Sequence, residues 1–332
     1  MINTVYRLVA PRRFEIAFED INLFGENAIV RPTYLSICNA DMRYYLGTRD
    51  AKVLAEKLPM ALIHEGVGEV FLDPTGTFKT GDKVVMVPNA PVEKDEFIAE
   101  NYLRSSKFCG SSMDGFLQEF VEISPKRLVK LPDDIDMTVA AFTEIVSVSV
   151  HAISRFDKIA HARRNTISVW GDGNLGYITS LFLKYHFPKS KIVVFGTSSD
   201  KLADFTFADE THLVNEVPDG FTTDHAFECV GGNGSPIAIE QIIGLIKPEG
   251  TISILGVSEY PVPINTRMIL EKGLRVFGSS RSGVKDFAKT VDMYKKHPEI
   301  IDYLGNLINS VNVVRTTTDI KNGISKYSLN TY

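Results

Sequence analysis

The feature that most constrains this chain is a glycine turn, Gly171-Asp172-Gly173-Asn174-Leu175-Gly176, set between an apolar run, TISVW, and a segment, YITSLFLKYHF, whose apolar residues recur at helical spacing up to Pro188. The pattern G-x-G-x-x-G alone is common. Between a buried strand and a helix, its glycines allow a tight turn and let a pyrophosphate approach the backbone at the helix N-terminus. Downstream, KIVVFG, THLVN, DHAFECVGG, a helical SPIAIEQIIGLIK, TISILG and LRVFG alternate strand with helix. Parallel strands need long crossovers and the helices supply them, so residues 151–283 read as a doubly wound parallel sheet of Rossmann type that binds a dinucleotide. Gly171, Gly173, Asn174, Leu175 and Gly176 are its pyrophosphate contacts. After KIVVFG the chain continues Gly196-Thr197-Ser198-Ser199-Asp200-Lys201. An NAD site usually offers a carboxylate at this strand end. Thr197, Ser198 and Lys201 suit a 2′-phosphate instead, so NADPH is favoured over NADH, with Asp200 the carboxylate that would reach the ribose if the turn were longer.

The first part of the chain has a different grammar. Short alternating runs (AIVRPTYLSI, GVGEVF, DKVVMVP, GFLQEFVEIS) are broken by DPTG, TGD and PDD, which is the pattern of an antiparallel β domain partly rolled into a barrel. Two domains fit 332 residues at roughly 100–200 residues each. The expected division is 1–150, completed by 284–332, and 151–283; a helix, KDFAKTVDMYKKH, and a polar tail pack back on the first domain.

Charge and cysteine usage narrow the chemistry. With 41 Asp and Glu against 36 Lys and Arg, the net charge of −5 argues against a protein that grips nucleic acid. No apolar run is long enough to cross a membrane, and the opening MINTVYRLVAPRRF has no signal-peptide core; the expected location is the cytoplasm. Three cysteines, Cys38, Cys109 and Cys229, are too few for a disulfide framework. Cys38, His64 and Glu65, with Glu144 at the entry to a helix linking the domains, are the donor types that a catalytic zinc accepts while keeping one position open.

Cys38-x-x-Asp41, His64-Glu65-x-x-Gly68-x-Val70, Gly81-Asp82-x-Val84 and Asp114-Gly115-Phe116-x-x-Glu119-Phe120-Val121, followed by the glycine turn, resemble the medium-chain zinc-dependent dehydrogenases over nearly the whole chain. The resemblance implies a GroES-like β-barrel catalytic domain coupled to a Rossmann domain, with the active site in the cleft between them. It implies Cys38, His64 and Glu144 as zinc ligands, Glu65 as a ligand or a close carboxylate, Asp41 as the partner that orients His64, and a homodimer formed through Rossmann edge strands. Members of that family usually continue where this chain stops, at SLNTY, so a last strand is expected to be missing. There are two departures. The stretch 88–115, where many members bind a structural zinc through four cysteines, holds only Cys109, so that second metal is expected to be absent. Position 40, usually Ser or Thr, is Ala40, which leaves Glu65, Tyr44 or water to carry the proton.

Wording such as LPMALIHEGVGEV, AENYLRSSKF, WGDGNLGYITS and EKGLRVFGSSRSG further resembles the ribulose-5-phosphate reductases of teichoic acid and capsule synthesis. That resemblance implies NADPH-dependent reduction of ribulose 5-phosphate to ribitol 5-phosphate, which a cytidylyltransferase then converts to CDP-ribitol. Arg43, Arg49 and Arg281 are the forks that would anchor a substrate phosphate. A polyol dehydrogenase using NAD on unphosphorylated sugar alcohols is the nearer alternative, and a zinc-free binding protein on the same fold the more distant one.

Overall fold

The computed structural model describes residues 1–329, so the expectation about the end of the chain lies outside the described residues. The chain divides into two compact units, Met1–Glu144 with the segment from Ser282 onward, and Ile145–Arg281.

The first unit opens with the hairpin β1 (Ile2–Ala10) and β2 (Arg13–Asp20), followed by β3 (Ala28–Ser36), two short helices α1 (Asn39–Leu46) and α2 (Ala51–Lys57), and strands β4 (Met60–Ala61), β5 (Glu65–Leu72) and β6 (Lys83–Met86). A two-stranded ribbon, β7 (Asn89–Ala90) with β8 (Lys107–Phe108), precedes β9 (Val121–Ile123), β10 (Leu128–Lys130) and α3 (Met137–Ala140); α4 (Thr143–Ile159) begins at the end of this unit and belongs mostly to the second. The strands form an antiparallel three-stranded sheet in order β2-β1-β4 and an antiparallel five-stranded sheet in order β10-β6-β5-β3-β9. Ala28, Val30, Val70, Val84, Met86 and Val121 make up much of the core under the larger sheet. Helices α1 and α2 lie in a stretch given no element from the sequence, and both are set by local caps: Asp41 and Asp50 accept backbone N–H groups at the two N-termini.

In the second unit, β11 (Thr166–Trp170), α5 (Asn174–His186), β12 (Lys191–Gly196), α6 (Ser199–Ala203), β13 (Glu210–Leu213), β14 (Thr223–Glu228), α7 (Ser235–Leu245), β15 (Ile246–Ile254), α8 (Thr266–Lys272) and β16 (Arg275–Gly278) follow in turn. The six strands are parallel in order β13-β12-β11-β14-β15-β16, the doubly wound arrangement whose order reverses beside β11. Ile192, Val193, Val194 and Phe195 are all buried, as a strand covered on both faces requires. One boundary differs from the sequence expectation: α7 ends at Leu245, and Ile246 and Lys247 already belong to β15. Pro248 explains it, because its ring disfavours helical backbone at Lys247.

The chain then returns to the first unit as α9 (Val284–Lys296), α10 (Glu299–Gly305) and α11 (Thr317–Leu329). The expected polar tail thus forms two further helices, and Ile320 and Ile324 of α11 pack with Val5, Leu8 and Phe14. Among the described residues no helix is long and apolar enough to cross a membrane.

Candidate active site

The first cluster is built by local backbone. Cys38 ends the extended segment after β3 and caps α1; Asp41, in the first turn, accepts through Oδ2 from the Cys38 N–H at 3.0 Å and the Cys38 thiol at 3.1 Å. Its Oδ1 accepts from the Ile63 N–H at 2.9 Å. Ile63 has a φ of 71°, strained for a β-branched residue. Its carbonyl is held by the Phe116 N–H at 2.7 Å and lies where a Cβ on Gly115 would come within 2.2 Å, which is why the Asp114-Gly115 pair needs its glycine. This twist presents His64, whose Nε2 lies 3.5 Å from Cys38 Sγ, while Phe108 packs edge-on to the ring at 5.2 Å between centroids. Glu65 follows at the start of β5, and donor atoms of Cys38, His64 and Glu65 all lie within 4.8 Å of one another.

The electrostatics suit a cation. Desolvation, then the charges of Asp41 and Glu65, push the Cys38 thiol well above its usual range. Burial, then the charges of Glu144 and Asp41, raise Glu65 well above the carboxylate range, against hydrogen bonds from Ser36 and Cys38 that lower it. Bringing anionic donors together away from water is costly unless a positive charge joins them. A thiol, an imidazole and a carboxylate are what Zn²⁺ accepts, so the residues fit the metal.

Several expectations need correction. Asp41 does not orient the His64 ring: both its oxygens are engaged by Cys38 and Ile63, and His64 Nδ1 is buried with no hydrogen-bond partner. It positions His64 through the backbone of the preceding residue. Tyr44 is 2% exposed in the apolar cluster with Val5, Met42 and Leu62, too enclosed to pass a proton, and Arg49 sits over its ring at 4.7 Å. Glu144 is buried in the first turn of α4, and its charge bears on Glu65, yet it stands outside the close donor group. Arg43 lies in α1; Arg49 keeps a buried Nε without a partner; Arg281, at a φ of 58°, ends the second unit. In the stretch 88–115, Cys109 is a buried thiol pushed up to about 12 by desolvation.

The dinucleotide turn belongs wholly to the second unit. Gly171 has a φ of 132°, and a Cβ there would meet the Cys229 carbonyl at 2.9 Å; a Cβ on Gly176 would meet the Gly171 carbonyl at 2.0 Å. Gly173, the N-cap of α5, has nothing within 4 Å of its Cβ position, an open cradle above a helix start with no side-chain cap. The sequence reading missed two carboxylates here. Asp172 Oδ2 accepts from Thr197 N at 2.6 Å, Ser198 N at 2.8 Å and Thr197 Oγ1 at 3.2 Å. The fully buried Glu228 accepts from Val230, Gly231 and Gly256 N–H groups and braces the loops after β14 and β15. Ser198 Oγ caps α6 through Lys201 N at 3.3 Å, while Lys201 and Asp200 are exposed; Asn174 is exposed and Leu175 half-buried. Cys229 is buried and its thiol lies 3.7 Å from Thr179 Oγ1, a packing role.

Comparison with known proteins agrees with this geometry. Residues 25–133 match the alcohol dehydrogenase GroES-like domain and residues 188–296 the zinc-binding dehydrogenase domain. This chain belongs to the zinc-binding dehydrogenase family. Within that class it is 55% identical over 322 residues to the ribulose-5-phosphate reductase of Bacillus spizizenii, covering 97% of this chain and 94% of that protein. The ribulose-5-phosphate reductase of Streptococcus pneumoniae is 45% identical over 322 residues, covering 96% of this chain and 92% of that one. The crystal structure of S. aureus TarJ in complex with NADPH superposes with a TM-score of 0.90 at 49% identity, covering 100% of this chain and 97% of that one.

Proposed function

We propose that this chain reduces D-ribulose 5-phosphate to D-ribitol 5-phosphate with NADPH and one catalytic zinc per subunit. The observation that carries the reading is the close Cys38, His64 and Glu65 group in a chain 55% identical to a ribulose-5-phosphate reductase. Cys38, His64 and Glu65 would hold the zinc, with Glu144 as the neighbouring carboxylate. When bound, zinc supplies a Lewis acid for a carbonyl oxygen, and NADPH supplies the hydride. Asp41 holds the thiol and the Ile63 backbone, so the donor set is arranged before the metal arrives. Burial and the charges of Glu144 and Asp41 disfavour Glu65 as a free anion, which a metal cation beside it would relieve; with Tyr44 enclosed, water or Glu65 when not ligating would give the new hydroxyl its proton.

In the same reading, Arg43, Arg49 and Arg281 bind the substrate phosphate and orient the sugar. Gly171, Gly173, Asn174, Leu175 and Gly176 receive the pyrophosphate; Thr197, Ser198 and Lys201 receive the 2′-phosphate. Residues 1–150 with 284–332 form the catalytic domain and 151–283 the nucleotide domain of a cytoplasmic homodimer. A cytidylyltransferase acting next would convert the product to CDP-ribitol for teichoic acid or capsule.

The test is NADPH oxidation with ribulose 5-phosphate, with and without a chelator. We expect turnover that needs the phosphorylated sugar and is lost on chelation. Equal turnover of ribulose with NADH would transfer the reading to a polyol dehydrogenase, and full activity without zinc would overturn the metal role.

A further inference from the structure

The end of β12 is where a dinucleotide fold meets the adenosine ribose, and in NAD sites a carboxylate at this strand end accepts the 2′-hydroxyl. Here the strand ends in Gly196 and hydroxyl residues follow. A carboxylate nevertheless occupies the position, delivered from another loop. Asp172, inside the glycine turn, reaches across so that one oxygen accepts from Thr197 N, Ser198 N and Thr197 Oγ1. Gly196 is shaped for this approach: a Cβ there would lie 2.7 Å from Asp172 Cβ and 2.8 Å from Oδ2. The glycine turn and the β12 turn thus fix each other, and Asp172 is the clasp.

From this geometry we infer that Asp172 tunes the choice between a 2′-phosphate and a 2′-hydroxyl nucleotide. The inference rests on the NADPH reading above. Asp172 has two opposed effects. Its three accepted hydrogen bonds hold Thr197 and Ser198 in place for a 2′-phosphate. Its charge lies one hydrogen bond from the Ser198 N–H and accepts the hydrogen bond of the Thr197 hydroxyl, so it repels a phosphate bound by the neighbouring Ser198 hydroxyl. Asparagine at this position keeps an oxygen acceptor for the turn and removes the charge, which separates the two effects.

The probes are 2′,5′-ADP and 5′-AMP, which differ only in the 2′-phosphate and need neither zinc nor the nicotinamide. Binding to the full chain is measured by titration calorimetry at two salt concentrations. For Asp172→Asn we expect 2′,5′-ADP to bind about fivefold more tightly at low salt, a gain that shrinks at high salt, with 5′-AMP unchanged. Asp172→Ser, neutral and still an acceptor, gives the same direction if the asparagine variant folds poorly. An unchanged affinity for 2′,5′-ADP, or an equal change for both probes, overturns the inference. A parent protein that binds both probes alike while Asp172→Asn gains a preference would refute the NADPH reading and leave the role of Asp172 standing.

Discussion

At the scale of the residue, one carboxylate organises the metal group. Asp41 ties the amide and thiol of Cys38 to the amide of Ile63, whose left-handed backbone aims His64. Removing it frees the thiol to rotate and leaves a strained residue without its anchor. Asp41→Ala is expected to weaken zinc binding about 10–100-fold, the range for residues that support metal ligands, while nucleotide binding stays unchanged. Competition with a chromophoric chelator checks the first part and nucleotide fluorescence the second. The spacing of Cys38 and Asp41 was legible in the sequence, but the role of Asp41 was not. Its second partner, Ile63, is distant in sequence and becomes a neighbour only when β4 and β5 are laid down. Tyr44 was misread for a related reason: nearness to Cys38 in sequence put it in reach of the site, whereas the turn of α1 directs it into the core.

At the scale of the element, the glycine turn was the most legible part of the chain, because Gly171 and Gly176 answer backbone requirements that no other residue meets and Gly173 leaves open space at the helix start. Its positions still differ in what they do. Gly176→Ala places a Cβ 2.0 Å from the Gly171 carbonyl, so α5 must move off β11; we expect a loss of about 3 kcal/mol in urea unfolding, with nucleotide binding abolished. Gly173→Ala meets nothing within 4 Å in the protein, so stability should hold while nucleotide affinity falls. The roles of Asp172, within the turn itself, and of Glu228, which ends β14, were invisible in sequence because their distant partners, the N–H groups of Thr197, Ser198 and Gly256, come near only through sheet order.

The sheet also carries a pH signature. On β14, buried His225 accepts from Thr251 N at 3.1 Å through Nδ1, and its Nε2 lies 3.1 Å from the Arg163 carbonyl, with the His161 ring 4.3 Å away. Desolvation, then the neighbouring His161, lower its pKa from 6.5 to about 4. Above about pH 6.5 the ring is neutral whether the chain is folded or not, and its contribution to stability is complete. As pH falls from about 6.5 to about 4, the unfolded chain takes up a proton that the folded one refuses, and up to about 3 kcal/mol is lost. Calorimetry across that window should show the melting temperature falling with acid, and His225→Gln should flatten the slope from a lower starting stability. An identical slope in the variant would remove His225 from the explanation.

At the scale of the whole molecule, the two functions occupy different compact units: Cys38, His64 and Glu65 lie in the first, and the glycine turn, Asp172 and Glu228 lie in the second. The change of grammar near residue 165 was visible in sequence, alternating runs giving way to buried strands and helices. The return of α9, α10 and α11 to the first unit was only partly visible, because few apolar residues mark α11 and Ile320 and Ile324 identify their partners only once β1 and β2 are paired. Since no residue is shared between the two sites, loss of metal should leave the nucleotide site intact. Cys38→Ser and His64→Ala are therefore expected to abolish bound zinc and nearly all turnover. In both variants NADPH at about 100 times its dissociation constant should still stabilise the fold by about 2.7 kcal/mol, as in the parent. Metal analysis, turnover and thermal shift on one preparation read all three. A variant that keeps its turnover without zinc would sink the metal assignment, and one that loses the NADPH shift would show that the two sites are coupled.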